Sequence, residues 1–145
     1  MSEQLINWEP IQDGEVKVTN YALNSIIDDM DKFAVFLSSI NDPAKRIYIL
    51  FDHSVQAYRV TPRKYDAETI SMLKKQWGPR FDEEQVFFKP QKSSYIQWMM
   101  DESYNAWNPD HITHFAFIAS DFVIDVASNY EPQISIIYTR SEPGE

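Results

Sequence analysis

The sequence predicts an α+β fold, a mostly antiparallel sheet with about three helices packed on it as a single compact domain. Two stretches carry this expectation. Residues 114–139, HFAFIASDFVIDVASNYEPQISIIYT, hold three β-rich runs at 115–118, 122–126 and 134–138, parted by short polar interruptions that favour turns. Upstream, Leu23, Ile26, Ile27, Met30, Phe33, Ala34, Leu37 and Ile40 recur at the 3–4 spacing of an amphipathic helix. The three late runs read as a meander at the centre of the sheet. In the second of them Phe122, Ile124 and Val126 alternate with Asp121, Val123 and Asp125, so period-2 geometry assigns apolar side chains to a buried face and two carboxylates to a wet one. Phe122, Val126 and Tyr130 also fit helical spacing, which makes a helix over 120–129 the alternative to that strand.

The remaining elements follow in order. A short strand is expected at 15–18. The amphipathic helix starts at Thr19 or Asn20 as N-cap and stops at Asn41-Asp42-Pro43, because proline cannot continue it. Residues 45–61, KRIYILFDHSVQAYRVT, read as a hairpin turning at Asp52-His53-Ser54. Asp66 caps a second helix with Ile70, Leu73 and Trp77 on one face and Gly78-Pro79 as its stop. Val86-Phe87-Phe88 is a short strand closed by Pro90, and Ser93 or Ser94 caps a third helix running to about Trp107. Residues 1–14 and 140–145 are expected to be poorly ordered.

Composition narrows the chemistry. With 145 residues and no cysteine, the chain has room for a core without staples and cannot form disulfides, Cys-based zinc sites or thiolate nucleophiles. A start without a basic, apolar leader and the lack of any long apolar run lead to the expectation of an unsecreted cytoplasmic protein with no membrane partner. Net charge is −9, which opposes direct nucleic-acid binding and favours a cationic partner. The charge is segregated: residues 1–44 set eight acids against Lys17 and Lys32, residues 101–145 set eight against Arg140, and residues 45–100 carry ten bases and six acids.

No local motif names a reaction. Three glycines in the whole chain leave no nucleophile elbow and no phosphate-cradling loop. His111 and His114 fall on opposite faces of a strand, which disfavours a shared metal, and no cofactor is expected. Asp52-His53 reads first as a turn, and Asp121, Asp125 and Glu131 as carboxylates on the wet face of a sheet. If the protein is a small enzyme, His53 or His114 is its candidate centre.

The aromatic content points elsewhere. Phe, Trp and Tyr make up 14% of the chain, and Trp98, Tyr104, Trp107 and Tyr130 sit at expected helix ends or loops among acids. Trp and Tyr anchor protein interfaces because they bury much area and lose few torsions. Trp98, Asp101, Glu102, Tyr104, Trp107, Asp110, Asp121 and Asp125 are therefore the expected partner contacts. This profile is similar to that of bacterial immunity or antitoxin-type proteins, which implies a non-enzymatic inhibitor that occludes the active site of a basic toxin such as a nuclease. A DNA mimic of the phage type is the alternative, ranked lower because the basic middle segment interrupts any array of carboxylates.

Overall fold

The computed structural model describes residues 4–8, 10–11, 16–29, 31–53, 55–65, 70–71, 74–76, 78, 86–104 and 109–139. Nine strands dominate them: β1 (Gln4–Asn7), β2 (Tyr21–Asp28), β3 (Phe33–Ser39), β4 (Lys45–Phe51), β5 (Ala57–Pro62), β6 (Phe87–Gln91), β7 (Thr113–Ile118), β8 (Phe122–Ser128) and β9 (Gln133–Tyr138). One helix is described end to end, α1 (Ser94–Glu102), and residues 70–71 and 74–76 are also helical. The expected fold of three helices on one sheet is thus corrected to two antiparallel sheets. One runs β2-β3-β4-β9; the other runs β6-β7-β8-β5 and is extended to five strands by β1 on β6.

The largest correction is the helix expected from Thr19 to Ile40, which is the β2–β3 hairpin. A one-residue bulge accounts for part of the helix-like spacing. The β2–β3 register shifts between Leu23 and Ser25, so Leu23 and Ile26, three apart, both pack into the core between the sheets. A bulged strand thereby imitates the step of a helix. Asp29 closes the hairpin, its Oδ1 accepting the N–H groups of Asp31 and Lys32, both at 2.9 Å.

Pairing corrects two further expectations. β4 and β5 fall close to where the hairpin was expected, yet β4 pairs with β3 and β9 while β5 pairs with β8 in the other sheet. Likewise β7 and β8 form a hairpin, whereas β9 crosses to β4 instead of completing a meander. Residues 122–128 are strand, as preferred over helix. Val18 belongs to a 3-10 turn (Val18–Asn20), not to a strand, and Glu15 lies outside the described residues. β6 runs through Pro90, and α1 ends at Glu102, short of Trp107. Asp66, Leu73, Trp77 and residues 140–145 lie outside the described residues.

The inward faces meet in one aromatic-rich core. Phe33, Val35, Leu37, Ile47, Ile49 and Phe51 of one sheet oppose Phe87, Phe115, Phe117, Ile124 and Val126 of the other. Phe51 sits at its centre, with ring centroids 5.9 Å from Phe33, 5.7 Å from Phe115, 6.4 Å from Phe117 and 5.9 Å from Tyr130. Several of these contacts are edge-to-face, the arrangement that ring quadrupoles favour.

The five-stranded sheet is buried on its other face as well. Tyr95, Ile96, Met99 and Met100 of α1 pack with Ile112 on Ala127 and Ala57, while Val18 and Ile70 pack on Phe88, Ala116, Ile118 and Val123. β8 is accordingly buried on both sides from Val123 to Ser128.

Candidate functional site

The register of the five-stranded sheet assembles a polar chain on its outer face. Arg59 lies opposite Asp125, Asp125 opposite Ala116, and His114 opposite Ala127, so His114 and Asp125 are diagonal neighbours on the face that α1 covers. His114 Nε2 is 2.6 Å from Asp125 Oδ1, and Arg59 Nε donates to Asp125 Oδ2 at 2.8 Å. On the other side of the ring, Ser93 Oγ is 2.6 Å from His114 Nδ1. Ser93 is also the N-cap of α1, its Oγ accepting the Ile96 N–H at 3.1 Å.

Aromatic rings roof this chain. Tyr95 stands edge-on to His114 at 5.3 Å, the Arg59 guanidinium lies 4.5 Å from the Tyr95 ring centre, and Trp98 stacks on Tyr95 at 6.1 Å. Burial pushes the Tyr95 hydroxyl up to about 12, with the Arg59 charge lowering it and the Asp125 charge raising it. Burial also pushes the Asp125 carboxyl up, but hydrogen bonds and charge from His114 and Arg59 outweigh it and hold Asp125 below its ordinary value.

Ser93, His114 and Asp125 have the residue types of a nucleophilic triad. Their placement also ties a helix to the sheet. His114 and Asp125 are 5% and 4% exposed, and the Ser93 oxygen already caps a helix. A chain that runs from a helix cap through two strands to a surface guanidinium fixes where α1 sits on the sheet, and every member has a partner. Ser93→Ala is expected to lower stability by about 1–2 kcal/mol, because it removes the cap and one partner of His114 together. Chemical denaturation reads this directly.

Asp125, expected among the surface contacts, is therefore buried within the protein. Its face was legible, since Val123 and Asp125 do share the side opposite Ile124 and Val126, but α1 covers that side in place of water. The other expected contacts divide. Trp98 is 55% exposed and Tyr104 94% exposed, with Asp101 and Glu102 exposed between them. Gln97 Nε2 donates to Asp101 Oδ1 at 2.9 Å, and Asp110 is exposed on the 3-10 turn Pro109–His111. Asp121 is exposed in the β7–β8 turn, where its Oδ1 accepts the Leu23 N–H at 3.0 Å. Trp107 lies outside the described residues.

His53 and the remaining carboxylates make separate contacts. His53 is exposed, its N–H donating to the Tyr130 hydroxyl at 2.7 Å while that hydroxyl donates back to the His53 carbonyl. Asp52 accepts from Gln133 Nε2 at 3.2 Å. Glu131 pairs with Lys89, whose ammonium also lies 4.5 Å from the Trp8 ring centre, so Asp121, Asp125 and Glu131 each answer to a different partner. Among the described residues no group of three or more His, Asp and Glu is placed to hold a metal ion.

Tyr104 has one further distinction. It follows the helix end with φ of 52°, the left-handed conformation in which glycine is the usual residue after a helix. A nearly fully exposed tyrosine held there is a backbone outlier of the kind that clusters at functional surfaces. α1 thus buries one face against the sheet, while its Trp98, Asp101 and Glu102 and the following Tyr104 are exposed.

An antiparallel two-sheet β fold with an acidic, aromatic helix face is the class of protein that these observations define. Comparison with protein-family models, curated proteins and solved structures finds no match. Among the described residues no helix is long and apolar enough to cross a membrane.

Proposed function

We propose that the protein is a cytoplasmic, non-enzymatic binding protein that docks the outer face of α1 on a basic protein. A cognate toxin, for instance a nuclease whose active site it occludes, is the partner class best suited to it. The observation that carries this reading is the exposure of Trp98 and Tyr104 on either side of Asp101 and Glu102. An isolated exposed ring is ordinary, whereas two large aromatics framing two carboxylates make an anchor with its own electrostatic guide. The net charge of −9 steers encounter with a cationic cleft, and desolvated rings slow dissociation.

The test is affinity capture of the tagged protein from its native lysate at low and moderate salt, followed by reconstitution with the captured polypeptide. A stoichiometric basic protein that survives moderate salt, and whose toxicity is lost on binding, supports the reading. Trp98→Ala and Tyr104→Gly should each weaken that complex by about 2 kcal/mol, while stability changes by no more than about 1 kcal/mol because neither ring is in the core. Salt-labile capture of a nucleic-acid enzyme favours the DNA-mimic alternative, and unchanged affinity in both variants overturns the α1 surface.

A further inference from the structure

The outer face of the five-stranded sheet carries a second surface, of opposite charge. α1 packs at the Ala127 end of β8, whereas Ile70 packs at the Val123 end. Beside Ile70, the 3-10 turn Arg63–Tyr65 and helical residues 70–71 and 74–76 border a cleft of about 540 Å3, lined by Arg63, Ile70, Ser71, Lys74 and Lys75. The cleft is broad and open to solvent. Among the described residues, each charged side chain in this lining is cationic, in a chain whose net charge is −9.

The lining is built from anchored and exposed parts. The Arg63 N–H donates to the Asp121 carbonyl at 3.0 Å, and its Nη1 donates to the Ser120 carbonyl at 3.3 Å, which ties the guanidinium to the β7–β8 turn. Ile70 is half-buried against Val18, Phe88, Ala116, Ile118 and Val123, giving the cleft an apolar floor. Ser71, Lys74 and Lys75 are exposed and line the cleft together with Arg63. Among the described residues neither lysine has an acidic partner.

We propose that this cleft binds a phosphate monoester of nucleotide size, its phosphate among Arg63, Ser71, Lys74 and Lys75 and its apolar or planar body on Ile70. A phosphate monoester carries about −1.5 to −2 charges and three acceptor oxygens at neutral pH. It can engage a guanidinium, a hydroxyl and two ammonium groups at once, where a single carboxylate leaves part of that set unanswered. The site is independent of the α1 surface and does not rest on the binding reading given above.

The test is titration of the isotope-labelled full chain with adenosine monophosphate, adenosine, and a short phosphoserine peptide, followed by amide NMR. Saturable shifts at Arg63 and residues 70–76 with the monophosphate and not with adenosine are expected. Lys74→Ala/Lys75→Ala should weaken binding at least ten-fold with an unchanged thermal midpoint, and Trp98→Ala should leave it intact. Binding of the phosphopeptide in place of the nucleotide keeps the phosphate chemistry and assigns its source to a modified protein. Equal binding of adenosine, shifts reproduced by chloride at the same ionic strength, or full affinity in the double lysine variant would each overturn the proposal.

Discussion

Replacing Asp125 by alanine is expected to cost about 3–5 kcal/mol of stability, the range for breaking a buried charged pair from one side. The loss is concentrated on His114. Arg59 has a side chain 46% exposed and can turn to water, but His114 is 4% exposed at its side chain and would lose its Asp125 partner within the protein. Replacing both members by apolar residues, His114→Phe with Asp125→Leu, should recover much of that loss, because no orphaned polar group remains. A urea denaturation series on the parent, the single variant and the double variant measures both numbers. A single-variant loss below about 1 kcal/mol would show that the relay contributes nothing beyond a surface pair.

The same carboxylate sets a pH dependence. Its folded pKa lies below the 3.8 of an unperturbed carboxyl, so the unfolded chain takes up the proton first as pH falls. The stabilisation from Asp125 is fully present above the unfolded value and is lost as pH drops through the folded one. The stability gap between parent and Asp125→Ala should therefore narrow below about pH 4.

Phe51→Ala is expected to have an effect of similar size, about 3–5 kcal/mol, for a different reason. The ring is fully buried and touches aromatic residues of both sheets, so its removal opens a cavity where the sheets meet. Phe51→Leu should cost less, since most of the volume is kept. Near-ultraviolet circular dichroism should report the loss of fixed ring packing in step with the urea midpoint. A Phe51→Ala variant as stable as the parent would mean that the sheets do not share this core.

Much of the local structure was legible in the residues. Alternation and β-branched content marked β7, β8, β9, β4 and β5, and the pair Ser93-Ser94 announced the start of α1. Of the candidate surface, Trp98, Asp101, Glu102 and Tyr104 could be read from composition alone, because aromatics among carboxylates near a helix end are a local pattern. The relay was not legible as a unit. Ser93, His114 and Asp125 were each visible, but they meet only through strand register and helix docking. The one local signal was an aspartate in the middle of the apolar run 122–127, a position that demands a partner if both faces of the strand are buried.

The amino-acid order by itself determined the acidic charge and its segregation, the absence of thiol chemistry, most strand-forming runs and the cap of α1, because these depend on composition and near neighbours. Tertiary structure alone decided that residues 21–39 form a bulged hairpin, that β4 and β5 part to different sheets, that β9 crosses to β4, and that Asp125 is buried. The physical reason is common to all four. Hydrophobic spacing records which side chains avoid water but not what covers them, and a bulge lets a strand present the same spacing as a helix.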